Sequence, residues 1–221
     1  MRKNIAIDGP AGAGKSTVAK AIAKKLNMIY VDTGAMYRSI ALFMLKEGVD
    51  VKDSKKVAEK CEGANVSIEY VNGAQQVILN GENVNGLIRT SDVSMAASYT
   101  SKVKEVRDRM TFLQRQLAKE KDLVMDGRDI GTNVLPDAFL KIYLTADVYV
   151  RAKRRYEEFK EKGENYSLDD IAKDISKRDE MDKNREISPL KKAEDAIEVN
   201  TDNLTPDEVV DYIISLYKEK V

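Results

Sequence analysis

The segment Gly9–Ser16, GPAGAGKS, contains the clearest chemical motif in the sequence. It matches the pattern G-x-x-x-x-G-K-[ST] and stands between an apolar run, NIAI, and a helical pattern, as a phosphate-binding loop must. Its glycines let backbone N–H groups point at phosphate oxygens, and the helix N-terminus adds positive potential. Lys15 is placed to reach the β- and γ-phosphates, and the Ser16 hydroxyl is placed to bind Mg²⁺. The motif therefore predicts a nucleoside-triphosphate site that uses Mg²⁺.

Two other nucleotide-binding classes do not fit this loop. The dinucleotide pattern G-x-G-x-x-G fails, because the third glycine position counted from Gly12 and Gly14 is Thr17. A signalling GTPase is disfavoured, because the sequence contains no Asn-Lys-x-Asp guanine signature. We therefore predict a kinase. The residues predicted to contact its nucleotide are Gly9, Pro10, Ala11, Gly12, Ala13, Gly14, Lys15, Ser16 and Thr17.

An apolar helical stripe near the C-terminus continues as charged residues. In the segment SLDDIAKDISKRDEMDKNR, the apolar residues follow one another at three- and four-residue steps, which marks one face of a helix. The same stepping continues with Arg178, Asp182 and Arg185. A stripe that begins by facing a core therefore ends in side chains that need a charged or hydroxyl-bearing partner.

Two further arginines follow predicted strands directly. Arg38 lies in DTGAMYR and Arg128 in DGRD, both at the carboxyl edge where open α/β sheets bind ligands. The sequence contains no histidine, which excludes Ser-His-Asp hydrolysis, imidazole acid–base chemistry and histidine-ligated metal sites. A phosphate monoester is already an anion and needs cations more than a general base. These arginines therefore favour a phosphorylated acceptor.

The elements that must position these residues follow an α/β pattern. Short apolar runs alternate with helical patterns, which predicts a parallel sheet of five strands flanked by helices. The predicted strands are Asn4–Asp8, Met28–Asp32, Asp122–Asp126, Phe139–Thr145 and Ala196–Asn200. The pattern also predicts a first crossover helix over Lys15–Leu26 and a last helix capped by Thr205.

Two excursions interrupt the alternation. About 90 residues separate the second and third strands, and the runs VSIEYV and QQVILN flank Asn72-Gly73, with Asn80-Gly81 after them. These turn signals predict a small antiparallel sheet. The second excursion, VRAKRRYEEFKEKGENYS, follows the fourth strand and predicts a charged helix that leads into a mobile loop.

Composition narrows the class of protein further. The 37 basic residues balance the 37 acidic ones, so general nucleic-acid binding is not expected. The sequence has no apolar run of the roughly 18 residues that a membrane span needs, and its N-terminus does not resemble a secretory signal. A single cysteine, Cys61, excludes an intrachain disulfide and fits a reducing cytoplasm. We expect a cytoplasmic protein without a membrane partner.

Several longer blocks resemble those of the bacterial cytidylate kinases, a family of nucleoside monophosphate kinases. The blocks are spread over nearly the whole chain: IAIDGPAGAGKST, DTGAMYR, GLIRTSDVSMAAS, DGRDIGT, KIYLTA with RAKRR, and RDEMDKNR. The resemblance implies ATP-dependent phosphorylation of CMP, and also of dCMP, with Mg²⁺ and without a covalent intermediate. It implies a P-loop kinase fold in one folded unit, expected as a monomer. The implied segments are a core of residues 1–32, 101–149 and 167–221, a monophosphate-binding subdomain of residues 33–100, and a lid of residues 150–166.

The resemblance also implies a role for each matching residue. Arg38, Arg128 and Arg185 would hold the acceptor phosphate. Ser98, Arg107 and Asp129 would read the polar edge of cytosine. Arg178 and Asp182 would engage the ribose, and Thr33, which keeps the hydroxyl of a serine, would also contact the substrate. The residues expected to act in catalysis are Lys15, Arg128, Arg154 and Arg185, with Arg154 favoured over Arg151 and Arg155 as the lid arginine. Residues 200–205 would lie against the donor adenine.

Two alternatives remain at this point. The chain could phosphorylate another small acceptor, such as UMP, AMP or shikimate. It could also be a nucleotide-binding protein without catalytic activity, although pure binding does not require a set of arginines at the transferring phosphoryl group. An assay of ADP release across these acceptors separates the alternatives.

Overall fold

The computed structural model describes residues 2–161 and 163–221. Met1 of the predicted core and Lys162 of the predicted lid lie outside the described residues. The strands are β1 (Ile5–Asp8), β2 (Ile29–Asp32), β3 (Val66–Val71), β4 (Ala74–Leu79), β5 (Glu82–Asn83), β6 (Leu123–Gly127), β7 (Leu140–Thr145) and β8 (Ile197–Asn200). The α-helices are α1 (Lys15–Lys25), α2 (Thr33–Lys46), α3 (Ser54–Lys60), α4 (Ser91–Thr100), α5 (Lys104–Glu120), α6 (Val148–Glu161), α7 (Leu168–Lys183) and α8 (Pro206–Lys220).

A parallel sheet of five strands, in the order β2-β6-β1-β7-β8, confirms the predicted fold class. Every residue of β1 and β6 is buried, as expected for strands covered on both faces. Each of the five strands begins one residue later than predicted. Asn4, just before the first strand, has a different role: its side-chain oxygen accepts the backbone N–H of Leu123 at 3.1 Å and so anchors the start of β6.

The chain forms two compact units, the first of residues 3–28 and 123–221 and the second of residues 29–122. In the first unit, β1 pairs with β6 and β7, and β8 pairs with β7. Helix α1 packs against β6 and α8. Helices α6 and α7 pack through the buried residues Ala152, Ile171, Ala172 and Ile175. The predicted start of the last helix is confirmed, because Thr205 and Glu208 form a capping box.

The second unit contains the predicted antiparallel insert, with strand order β3-β4-β5. The turn residues Asn72 and Gly73 have φ of 51° and 76°, and Asn80 and Gly81 have φ of 50° and 84°. Asparagine and glycine tolerate these left-handed conformations, so both predicted turns are confirmed. Helix α5 packs against α2 and α3, and the second unit therefore extends beyond the predicted subdomain of residues 33–100.

The charged end of the helical stripe differs from its prediction. Helix α7 ends at Lys183, so Arg185 lies beyond the helix, although it is buried. The backbone leaves helical geometry at Asn184, and the chain then turns at Ser188, whose φ is 49°. At the other end Leu168 is 37% exposed, so the inward-facing stripe begins at Ile171. Across residues 2–161 and 163–221, no helix combines the length and the apolar character that crossing a membrane requires.

Candidate active site

The phosphate loop joins β1 to α1, and the packing around it explains two of its glycines. A Cβ at Gly9, where φ is 148°, would lie 2.0 Å from the carbonyl oxygen of Leu144, so no side chain fits there. Gly14 caps α1 with a φ of 83° and has open space around its Cα, so its requirement is conformational. The loop thereby brings the N-terminus of an eleven-residue helix to the end of β1, as an anion site needs.

Lys15 is buried at the start of α1, and its Nζ donates to the carbonyl oxygen of Pro10 at 2.7 Å. Burial and the nearby guanidinium of Arg128 lower the pKa of Lys15 from 10.5 to about 7, although the carboxylates of Asp126, Asp182 and Asp8 raise it. This amine therefore gains charge easily when an anion binds beside it.

Ser16 and Asp126 provide paired oxygen donors next to the loop. The Ser16 hydroxyl donates to the Asp126 carboxylate at 2.9 Å, and Asp126 is buried near the carboxyl end of β6. Mg²⁺ prefers oxygen donors and usually binds through one or two protein groups together with water and phosphate. The two residues fit that requirement. Asp126 was not among the predicted site residues, although its place at the end of a strand in DGRD could have revealed it.

Asp8 organises the turn that follows Asp129. Its carboxylate accepts the backbone N–H groups of Ile130 at 2.8 Å and Gly131 at 2.7 Å, and the chain there forms a short π-helical turn over Ile130–Val134. Burial raises the pKa of Asp8 to about 6, although both amide hydrogen bonds lower it. Asp8, also missed by sequence reasoning, thus holds in place the segment that contains Arg128 and Asp129.

The predicted acceptor residues of the first unit meet as two ion pairs. Arg128 Nε donates to Asp182 at 2.8 Å, and Arg185 donates to Asp129 at 3.2 Å, with both side chains of the second pair 5% exposed. Arg185 Nε also donates to the carbonyl oxygen of Ser188. The second oxygen of Asp129 accepts from the Asn133 side chain at 3.1 Å. The DGRD segment and the end of α7 therefore form one charged cluster.

The cluster keeps Asp182 ionised. Burial alone would raise its pKa, but the guanidinium of Arg128, with those of Arg185 and Arg178, holds the pKa of this carboxyl below its usual value of 3.8. Arg178 is half-buried on α7 one helical turn before Asp182. The structure thus brings together the predicted residues Arg128, Arg178, Asp182 and Arg185.

The three arginines of α6 have different surroundings. Arg151 is buried and forms an ion pair of 2.7 Å with Asp179 on α7. Arg154 donates to the hydroxyl and carbonyl oxygens of Thr201, at 3.0 and 2.5 Å, at the start of the loop expected near the donor adenine. Arg155 pairs with Glu158 at the surface and lies over the ring of Phe159. Asp179 was not predicted, because its position within a run of charges resembles solvated surface.

In the second unit, Thr33 and Arg38 lie on the first turns of α2, where Asp32 caps the helix. The Asp32 carboxylate accepts from the backbone of Ala35 at 2.8 Å, from Arg38 at 3.3 Å and from Arg89 at 3.5 Å. Within the described residues, the buried Nε of Arg38 has no hydrogen-bond partner. Asp32 and Arg89 were missed by sequence reasoning, although both lie in the quoted blocks.

The remaining predicted residues of the second unit lie on α4 and α5. Ser98 is half-buried and donates to the carbonyl oxygen of Ser94 at 3.3 Å. Arg107 is 2% exposed, donates to the carbonyl oxygen of Ser101 at 3.3 Å, and has its guanidinium 5.5 Å from the ring centroid of Tyr37. A buried arginine at such a position is suited to polar recognition, since its planar guanidinium presents donors in a fixed geometry.

Comparisons with known proteins identify the family of this chain. The cytidylate kinase family model matches residues 5–219. A cytidylate kinase of Caldicellulosiruptor saccharolyticus is 50% identical over 98% of this chain and 96% of that protein, and one of Bacillus subtilis is 47% identical over 98% and 97%. A solved structure of an uncharacterized protein from Eubacterium ventriosum, 16% identical, matches the fold with a TM-score of 0.53 over 98% of this chain and 99% of that one. This chain therefore belongs to the cytidylate kinase family and is a kinase.

Proposed function

We propose that this protein transfers the γ-phosphoryl group of ATP to CMP, and also to dCMP, in the reaction ATP + CMP ⇌ ADP + CDP. The transfer is direct, without a covalent intermediate and without a general base. The names of the relatives support CMP as the acceptor, and the phosphate loop supports a nucleoside triphosphate as the donor.

One structural observation carries the proposal. Lys15 of the phosphate loop and the Arg128–Asp182 ion pair belong to the same electrostatic cluster, because both partners of that pair influence the Lys15 amine. Phosphoryl transfer requires donor and acceptor phosphates to meet in one cationic environment. The first unit supplies cations for both: Lys15 for the donor, and Arg128 with Arg185 for the acceptor phosphate.

On the donor side, backbone N–H groups of the loop and Lys15 hold the phosphates. Ser16 and Asp126 would hold Mg²⁺, which would neutralise phosphate oxygens of the donor. The Ser16 hydroxyl donates to Asp126, which leaves the lone pairs of its oxygen available to the ion. Arg154, as the favoured lid arginine, leaves Thr201 to approach the transferring group.

On the acceptor side, Asp182 and Arg178 bind the ribose hydroxyls, and Asp129 accepts from the exocyclic amine of cytosine. An ionised carboxylate has about four acceptor positions, so Asp129 can hold Arg185 and Asn133 and also accept from the base. Uracil presents a carbonyl where cytosine presents that amine. The mismatch costs about 1–3 kcal/mol, which gives roughly a tenfold to hundredfold preference for CMP over UMP.

The second unit contributes the other acceptor residues. Arg38, whose buried Nε is a donor without a hydrogen-bond partner in the part of the chain described, binds the acceptor phosphate. Thr33 contributes its hydroxyl, and Ser98 and Arg107 contact cytosine. Residues 33–100 act as the monophosphate-binding subdomain and residues 150–166 as a lid that excludes water during transfer. We further propose that the protein is cytoplasmic, for the compositional reasons given above, and that it acts as a monomer.

The test is an assay of ADP release by the purified protein with ATP and Mg²⁺. The acceptors, each supplied separately, are CMP, dCMP, UMP, AMP and shikimate. We expect turnover of CMP and dCMP, weaker turnover of UMP, and none of AMP or shikimate. Equal turnover of UMP and CMP would contradict the role of Asp129. Binding of ATP without transfer to any acceptor would instead support a non-catalytic nucleotide-binding protein.

A further inference from the structure

The backbone of Ala11, in the phosphate loop, is held at both its N–H and its carbonyl oxygen by side chains of two helices that are distant in sequence. Its N–H donates to the Asp179 carboxylate of α7 at 3.2 Å, and its carbonyl oxygen accepts from Arg151 of α6 at 2.8 Å. Arg151 and Asp179 in turn pair with each other at 2.7 Å. The three contacts close a ring that contains the backbone of one loop residue and two opposite charges.

The charged members of the ring are buried. The side chains of Arg151 and Asp179 are only 7% and 10% exposed, and the Nε of Arg151 also donates to the carbonyl oxygen of Ala146 at 2.9 Å. A Cβ at Gly12 would lie 3.2 Å from the Cβ of Arg151, so α6 packs directly on the loop backbone. Arg151 and Asp179 thus contact the loop backbone, each other and Ala146.

Asp179 also connects the loop to the acceptor side. It lies on α7 between Arg178 and Asp182, the residues assigned to the ribose, but it points at Ala11 rather than at Arg128. The helix that presents the acceptor residues therefore also holds the donor loop. A displacement of either element strains the ring, because a buried charge that loses its partner is costly.

We propose that Arg151 and Asp179 form a loop clamp, a pair of positioning residues that holds the phosphate loop in the conformation that binds ATP. The proposal rests on ATP being the donor, as argued above, and it gives Arg151 a different role from that of a lid arginine. Neither residue needs to touch a substrate. Their effect on the reaction passes through the position of Ala11 and the loop amides that follow it.

The experiment measures binding of a non-hydrolysable ATP analogue with Mg²⁺, and separately of CMP, by calorimetry. The variants are Asp179→Ala, Asp179→Asn, Arg151→Ala and the double variant, with the exposed residues Asp174→Ala on α7 and Lys153→Ala on α6 as matched controls. Asp179→Ala should weaken binding of the ATP analogue by about tenfold or more, because a charged hydrogen bond to the loop is lost. The same variant should change the affinity for CMP by less than about threefold. Asp179→Asn keeps an acceptor for the Ala11 N–H, so its affinity for the ATP analogue should lie between those of Asp179→Ala and the unmodified protein.

The double variant separates the loop clamp from a simple buried ion pair. If Asp179→Ala acts only by leaving Arg151 unpaired, removing Arg151 as well should restore affinity for the analogue. The loop clamp predicts that affinity stays low, because both side-chain hydrogen bonds to the Ala11 backbone are gone. Exchange of the Ala11 amide hydrogen, followed by NMR, should be faster in Asp179→Ala than in the unmodified protein.

Restored analogue binding in the double variant, or unchanged binding in a folded Asp179→Ala protein, would overturn the loop clamp. Lower thermal stability with unchanged analogue and CMP affinities would overturn it as well, since the pair would then act on folding alone. These binding measurements do not depend on turnover. An unmodified protein that binds the analogue but does not phosphorylate CMP would contradict the proposed function and leave the loop clamp to be decided by the same variants.

Discussion

The phosphate loop and the charged end of α7 lie in the same unit, yet they handle charge in opposite ways. The loop contains one cation, Lys15, whose pKa is lowered to about 7 by burial and by Arg128. At the end of α7, Arg128 and Arg185 are each paired with a carboxylate, and the pKa of Asp182 is held below its usual value. On the donor side, burial of charge is limited because the lowered pKa favours the neutral amine of Lys15. On the acceptor side, each arginine is instead paired with a carboxylate.

The difference has a consequence for binding. A donor phosphate can charge Lys15 by drawing a proton from solution, without breaking an existing ion pair. An acceptor phosphate must share or replace carboxylate partners of Arg128 and Arg185, so its affinity depends on groups that are already satisfied. Four measurements test this contrast.

The largest effect is expected for Lys15→Ala. Loss of the amine removes stabilisation of the transferring phosphoryl group, and we expect kcat to fall by a factor on the order of 10² to 10³. The protein should remain folded, because the Lys15 amine donates to the carbonyl oxygen of Pro10 within its own loop. Steady-state kinetics and thermal unfolding check both points, with the exposed residue Lys24→Ala on α1 as control. Near-normal turnover would remove the loop from the mechanism.

Arg185→Ala should have the next largest effect, and this effect should be on the use of CMP rather than on the binding of ATP. We expect the KM for CMP to rise by about a hundredfold, because a buried charged hydrogen-bonding group is lost, while affinity for the ATP analogue changes by less than about threefold. Lys183→Ala, at the exposed end of the same helix, is the control. An unchanged dependence on CMP would mean that Arg185 only holds Asp129 in the fold.

Ser16→Ala tests the assigned Mg²⁺ ligands. The variant loses one oxygen donor but keeps Asp126, so we expect the Mg²⁺ concentration needed for half-maximal activity to rise by about tenfold. Asp126→Asn should act in the same direction. Titrations of Mg²⁺ at saturating ATP and CMP measure the change. Identical titration curves for the variants and the unmodified protein would exclude these residues as ligands.

The smallest effect concerns protons. At pH 8 the Lys15 amine, with a pKa of about 7, is mostly neutral in the free protein and charged beside bound phosphate. Binding of the ATP analogue should therefore take up as much as about one proton, and affinity should fall as pH rises above about 7. Calorimetry in buffers of different ionisation enthalpy measures the uptake, and Lys15→Arg, which stays charged, should abolish it. Equal uptake in both proteins would show that another group titrates.

The extent to which the sequence predicted the structure differs between these regions. The five strands, the two Asn-Gly turns and the capped last helix were predicted within about one residue, because each depends on local periodicity or on residues that tolerate a left-handed backbone. The end of α7 was not predicted, because the three- and four-residue spacing continues to Arg185 although the helix ends at Lys183. Asp8 and Asp179 were missed because the neighbours of a single carboxylate along the chain do not reveal its partner, whereas Asp126 could have been found from its place at the end of a strand in DGRD.

The sequence by itself determined the chemistry of the loop: GPAGAGKS prescribes glycines that accept unusual backbone angles, a lysine and a hydroxyl, whatever surrounds them. Only the tertiary structure decided which charges face each other. Arg128 and Asp182 are 54 residues apart in the chain, and Arg185 and Asp129 are 56 apart. Ion pairs act through space and depend on burial, so their partners are chosen by how β6, α6 and α7 pack, and no local pattern of residues contains that information.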